Sequence, residues 1–462
     1  MGKYSRLGKN ILLVFVGNAG ARLIGFIMLP FYTRWLSQAD YGTSDMINVC
    51  ITISINMITC CLCDAIFRLP KGQPADVQKK YFSTGLSMSS IGLCAAALIF
   101  FIITRFLPEK SIFSEYAHLI YLIIFTTFLQ SYFQQFTRSI DKMNIYVTSG
   151  VLLTVFTAGF AFLLIPVYGL TGFLWSQIIA TFCASLYTLI FGKLWRYFSV
   201  WSVDMLRCGE MLKYSLPLVP NVVMAWLING TNRFFLEHFH GLDTNGIFAA
   251  ALKFPMLIGT FFHVFLISWQ ISVIEEYKSD KYYDFYNKIF SLVFLGLTGG
   301  MLAIALSSDF LTTIFINEKF SDARLYIPIL TVAPFLSCLA LFVGANFMAS
   351  KETKFVFSTT AYAGLTCIVC NYLLVPSFGI MGAAYSQILS FAVMLVMRIF
   401  YSRKMAGINH ILSYIGSFVS LLLIVLLFNS GISAKFPLIV ILILLILFFN
   451  RYAIKLLIHA IR

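Results

Sequence analysis

Ile165-Pro166-Val167-Tyr168-Gly169-Leu170-Thr171-Gly172, followed by Ser176-Gln177-Ile178, returns as Val375-Pro376-Ser377-Phe378-Gly379-Ile380-Met381-Gly382, followed by Ser386-Gln387-Ile388. Each paired position lies 210 residues on, as Pro166 to Pro376. A match of this length at a fixed offset marks an internal duplication. A weaker echo at an offset of 203 to 204 relates Asn18, Asp40 and Gly42 to Asn221, Asp243 and Gly246. The chain therefore reads as two six-helix lobes, 1–195 and 208–405, joined by a cytoplasmic linker at 196–207 and followed by an extra helix pair at 406–462.

The sequence around these repeats is apolar. Of 462 residues, 60% are hydrophobic, 16% aromatic and 11% charged, with mean hydropathy +0.87. A soluble domain carries about 25% charged residues, so a soluble enzyme is excluded. Apolar runs of about 18 residues or more, each long enough to cross a bilayer core, recur along the chain. They predict an all-α polytopic membrane protein with about 14 transmembrane helices; around the repeats the runs are 147–167 with 170–192, and 355–375 with 379–400. Alternation of period two is absent, which excludes a β-barrel reading. The first run, after Lys3, Arg6 and Lys9, reads as a retained helix and not as a signal peptide. Connections reach no more than about 20 residues, too short for a folded catalytic domain. That weakens a membrane-embedded polysaccharide polymerase and favours a function inside the membrane.

The net charge of +14 would point to nucleic acid in a soluble chain. Here most Lys and Arg fall in alternate tails and links, the pattern of cytoplasmic retention, which places both termini in the cytoplasm and leaves no role for nucleic acid. With six helices each, both lobes enter from the same side and are parallel repeats, a transporter architecture. Nine of the ten cysteines fall in the apolar runs, so no disulfide framework is expected. The Cys367–Cys370 CxxC lacks a second ligand pair and reads as packing. No metal or cofactor is expected.

Charges inside a bilayer are costly and mark pathways or partners. Arg22, with Asn18 one turn before it, lies beside the small-residue ridge Gly17, Ala21, Gly25 in the first span. Asn221, Asn229, Asn232 and Arg233 follow helical spacing in the seventh span, beyond Pro217 and Pro220. Lys253, Thr260, His263 and Gln270 share a face in the eighth, and Thr127, Gln130, Gln134 and Arg138 share one in the fourth. These stripes predict a wet, cationic, amide-rich cavity. Guanidinium and ammonium groups suit phosphate, and amides suit sugar hydroxyls. Asp64, the one acid in a span, with Arg68 a turn later, reads either as an interfacial salt bridge or as a coupling or gating pair. His263 reads as a core histidine or a proton carrier.

Leu36-Ser37-Gln38-Ala39-Asp40-Tyr41-Gly42, Asp64-Ala65-Ile66-Phe67-Arg68, Arg233-Phe234-Phe235, Lys253-Phe254-Pro255 and Ser268-Trp269-Gln270 resemble motifs of Wzx-type polysaccharide flippases, in the multidrug/oligosaccharidyl-lipid/polysaccharide exporter superfamily. The resemblance covers nearly the whole chain. It implies a V-shaped, two-lobe protein of the bacterial inner membrane that flips undecaprenyl-diphosphate-linked oligosaccharide to the periplasmic leaflet for O-antigen or capsule assembly. It further implies alternating access driven by an ion gradient (H+ or Na+) or membrane potential, with a polysaccharide polymerase and a chain-length regulator as partners beside membrane lipid. No GxxxxGK[ST] loop for ATP is present. Asn232 departs from the acid that many relatives carry before Arg-Phe-Phe. A lipid II flippase and an ion-coupled multidrug exporter of the same superfamily are the alternatives. In related lipid II flippases an extra pair like 406–462 borders a groove for the lipid tail; the other reading is that these helices face lipid.

Overall fold

The computed structural model describes residues 25–104, 106, 112–403, 405–428 and 435–461. Asn18 and Arg22 lie outside the described residues. The chain forms two compact units, Met1–Val223 and Met224–Arg462. In the first, the longer helices are α1 (Leu29–Trp35), α2 (Gln38–Ile58), α3 (Leu62–Arg68), α4 (Ala75–Thr104), α5 (Ala117–Ser139), α6 (Met143–Phe191) and α7 (Met205–Ser215). Then come α8 (Leu218–Leu252), α9 (Pro255–Glu276), α10 (Tyr282–Leu306), α11 (Val332–Ala349), α12 (Lys354–Ser402), α13 (Ile411–Phe428), α14 (Lys435–Phe449) and α15 (Arg451–Ile461). The described residues contain no strand. Among the described residues, eight helices are long and apolar enough to cross a membrane, ten if each of two bent pairs is one span.

The duplication appears in the backbone. Both α6 and α12 have 49 residues, about 74 Å if straight, more than twice a bilayer core. Each breaks at the repeated glycine: Gly169 has φ 55 and ψ −130, and Gly379 has φ 53 and ψ −127. A side chain rarely adopts that conformation, and the proline three residues earlier has already removed one ladder donor. The second repeated glycine allows the arms to close. A Cβ on Gly172 would sit 2.3 Å from the Leu164 carbonyl, and one on Gly382 would sit 2.4 Å from the Leu374 carbonyl. His240 Nε2 lies 2.8 Å from the Val375 carbonyl, which the kink releases from its helical partner. The arms are tied at matching positions too. Thr188 bonds Ser149 at 2.8 Å in α6; at the same offset Arg398 donates to Thr359 Oγ1 at 3.2 Å in α12.

Other elements begin and break for local reasons. Ser37 accepts the Asp40 N–H at 3.0 Å as the N-cap of α2, with Asp40 in the first turn, so this part of the loop motif is a capping arrangement. Cys60 (φ 50) and Cys61 (φ 56) are both left-handed, and they bend α3 by 63° from α2. The core of the first unit is aromatic, Phe82 packing against Phe136 in a tilted pair at 4.6 Å while Tyr132 donates to the Phe82 carbonyl at 2.9 Å. In the second unit Trp269 lies on Phe342 at 4.2 Å and donates to its carbonyl at 3.1 Å. In the extra pair, Asn450 donates to Ser417 at 2.9 Å, and α14 leaves Val440, Leu444 and Phe448 exposed.

The segment after α6 is pinned to the first unit. Ser83 donates to the Tyr197 carbonyl and accepts from the Ser199 N–H, each at 3.0 Å. The Asp204 N–H donates to Thr84 Oγ1 at 3.0 Å, and Lys80 pairs with Asp204 at 3.3 Å. Tyr81 donates to Glu210, which Arg207 also holds at 2.7 Å. The Leu206 N–H, then the Lys80 ammonium, keep the Asp204 carboxyl below its usual range.

Gly169→Ala and Gly379→Ala are each expected to lower the thermal unfolding midpoint in detergent, at a cost of about 1–3 kcal/mol for forcing a side chain into that conformation. Gly159→Ala, on a helix with open space around the new Cβ, should leave it unchanged or raise it. A depressed carboxyl stabilises above its unfolded pKa of about 3.9 and stops doing so as pH falls through the folded value. Limited proteolysis should therefore cut 193–204 faster in Asp204→Asn at neutral pH, and in the wild type only on acidification below about pH 4.

Candidate functional site

The polar stripe of α5 does assemble within the first unit. Gln130 is buried and donates to Gln134 Oε1 at 3.0 Å, and Gln134 donates to the Tyr146 carbonyl at 3.1 Å. One turn on, the half-buried Arg138 lies 4.2 Å from the centre of the Phe67 ring and 5.6 Å from that of Tyr146. Desolvated guanidinium over aromatic faces is a favourable contact that leaves its N–H edge available to an anion. Asp64 and Arg68 are both exposed and do not pair with each other. Arg68 instead approaches the Tyr214 ring at 5.9 Å. The interfacial salt bridge, one of the two readings of this pair, does not form, although both residues lie on α3.

In the second unit Arg233 is buried, donating to the Asn229 carbonyl and lying 5.4 Å from the Phe248 ring centre. Asn232 is fully buried. Its Oδ1 accepts from Asn371 Nδ2 at 2.6 Å, beside Thr231 Oγ1 and Cys367 Sγ at 3.3 and 3.4 Å from that same nitrogen. It therefore joins α8 to α12 and does not face open space. The Asn232 Nδ2 and Asn371 Oδ1 atoms have no bonding partner among the described residues. Asn229 is exposed and bonds its own helix at Ala225. Lys253, at the turn between α8 and α9, and Gln270 are half-buried, as is Asn221 at the end of the first unit. His263 is exposed on α9, so it is not a core histidine. A cavity of about 600 Å³ between α9 and α10 is lined by apolar residues such as Phe261, Phe265 and Val293. None of these polar residues lines it.

Two buried groups escaped the sequence reading. Arg398 is buried and donates to the Ala340 carbonyl at 2.8 Å as well as to Thr359 and Thr360. A Cβ on Gly344 would come within 2.7 Å of its guanidinium, so that close approach requires glycine. Asn371 carried a usable signal, an amide inside an apolar run. Cys367 packs as expected of it, and no group of three or more His, Cys, Asp or Glu suits a metal among the described residues.

Residues 7–269 match the family described as polysaccharide biosynthesis protein. The chain belongs to this family. Over 199 residues it is 21% identical to the capsular polysaccharide biosynthesis protein CapF of Staphylococcus aureus, covering 42% of this chain; the chain spans about half (50%) of the length of that curated relative. The lipid II flippase MurJ in its inward closed conformation superposes with a TM-score of 0.73 at 15% identity, over 97% of this chain and 100% of that one. An inward-facing multidrug resistance MATE family transporter of the MOP superfamily gives 0.63 at 15% identity, over 84% and 99%. At these identities the likeness is one of fold. This member of the polysaccharide biosynthesis family is a multi-pass membrane protein with the fold of MOP-type transporters.

Asn371→Leu alone leaves the buried Asn232 oxygen only the weak Cys367 thiol donor at 3.6 Å and is expected to cost about 1–3 kcal/mol. The double variant Asn232→Leu/Asn371→Leu removes both partners. Its melting temperature should exceed the value obtained by adding the two single losses.

Proposed function

We propose that the protein flips undecaprenyl-diphosphate-linked oligosaccharide repeat units from the cytoplasmic to the periplasmic leaflet of a bacterial inner membrane, by alternating access, for O-antigen or capsule assembly. One observation carries this reading beyond family and fold. Among the described residues, every fully buried charged side chain is an arginine, Arg233 or Arg398, and no carboxylate is buried. Fixed positive charge in a low-dielectric interior favours passage of an anion and repels an organic cation. A diphosphate is such an anion.

In this reading Arg233, with Arg22, Lys253 and Arg138, holds the diphosphate in turn as it crosses, while Gln130, Gln134, Asn221, Asn229 and Gln270 offer exchangeable hydrogen bonds to the glycan. Asp64, Arg68 and His263 are the titratable and charged groups available for coupling to H+ or Na+. Buried positive charge disfavours a cationic-drug exporter. It leaves a lipid II flippase as the second reading, since that substrate carries the same diphosphate and MurJ shares the fold.

Arg233→Ala should reduce surface polysaccharide at least about tenfold, the effect of losing roughly 1.4 kcal/mol of anion contact, with the protein still present in the membrane at its normal level. Arg233→Lys should retain more activity than Ala. Normal polysaccharide in Arg233→Ala would remove the anion role. In a deletion strain, lipid-linked repeat units are expected to accumulate in the cytoplasmic leaflet; accumulation of lipid II instead would establish the second reading.

A further inference from the structure

Where α5 turns into α6 and where α6 ends, three cations gather. Lys142 sits in the turn, donates to the Gly192 carbonyl at 2.7 Å, and lies 5.8 Å from the centre of the Tyr197 ring. Lys193, left-handed at φ 52, and Arg196 in the following single helical turn are exposed. Burial, then the charges of Lys193 and Arg196, lower the pKa of Lys142, so the three groups feel one another. None of the three forms an ion pair among the described residues. Like charges held together are unfavourable, and an anion that completes the arrangement relieves them.

The same corner presents large apolar side chains that the core does not take. Trp201 is 97% exposed, Met205 83% and Trp195 49%, on a backbone held by Ser83, Thr84 and the buried Leu194. Tryptophan held at the end of a membrane-spanning arm, with Lys and Arg beside it, is the composition of a bilayer interface. The arm that ends at Phe191 fixes the level of this corner at the membrane surface.

We propose that Lys142, Lys193 and Arg196 form a docking surface for the phosphate headgroup of an anionic phospholipid, with Trp195 and Trp201 set into the headgroup boundary beside it. The lipid would act as a fixed partner that anchors the segment between α6 and α7, which is independent of the cargo proposed above. The cations supply charge complementarity, and the pinned backbone keeps them converged, so headgroup binding needs little ordering of the protein.

The full chain, purified in detergent, can be titrated with phosphatidylglycerol and with phosphatidylcholine by native mass spectrometry. The wild type should retain phosphatidylglycerol in preference to phosphatidylcholine. Lys193→Gln/Arg196→Gln, which spares the Lys142 bond to Gly192, should weaken phosphatidylglycerol retention about tenfold or more. Lys278→Gln/Lys281→Gln removes the same charge from exposed positions in another link and should leave retention unchanged. In vesicles of brominated phosphatidylglycerol, quenching of tryptophan fluorescence should fall in Trp195→Phe/Trp201→Phe. Equal retention of the two lipids by the wild type, an equal loss in both double charge variants, or retention of undecaprenyl diphosphate in place of phosphatidylglycerol would each overturn the proposal.

Discussion

A peptide group inside a bilayer has no water to bond with, so every N–H and C=O there must find its partner within the protein. In this chain that requirement makes helices obligatory and makes each interruption a feature with its own chemistry. At Gly169 and Gly379 the chain leaves helical geometry at nearly identical angles. At Gly379 the released Val375 carbonyl is met by His240. At Cys60-Cys61 two side-chain-bearing residues take the left-handed conformation, which sharply redirects the span that carries Asp64. The shape of each unit follows from where these breaks fall.

The same scarcity of water governs the side chains. Many buried hydroxyls bond back to their own helix, as Thr260 does to Met256, while the larger groups tie one helix to another, Arg398 through three acceptors and Asn371 through Asn232. Removing charge from the resemblance's expected acid at 232 makes that contact a neutral amide pair, one that holds α8 against α12 without a counter-ion. The positive charges that remain buried set the polarity of the interior.

The duplication was legible because its determinants are local. Proline and glycine impose backbone constraints that no partner can override, so Pro166, Gly169 and Gly172 could be matched to their counterparts before any packing was known. The α5 stripe was legible for a similar reason, since Gln130, Gln134 and Arg138 lie one turn apart and the two glutamines bond along their own helix. His263 and Asn232 were not. Both lie on polar stripes by spacing, yet one is exposed on α9 and the other is closed off by Asn371, a residue 139 positions away. Trp269 likewise read as a motif residue and proves to be a core plate stacked on Phe342.

By itself, then, the sequence determined a helical membrane protein built from a repeated unit with its breaks at fixed glycines, because bilayer length, backbone satisfaction and backbone sterics act over a few adjacent residues. Only the tertiary structure decided which polar groups close on one another. It made Arg398 a buried tie, closed Asn232 on Asn371, and gathered Lys142, Lys193 and Arg196 at one corner. Those outcomes depend on contacts between helices far apart in the chain, where periodicity specifies a face but not what that face meets.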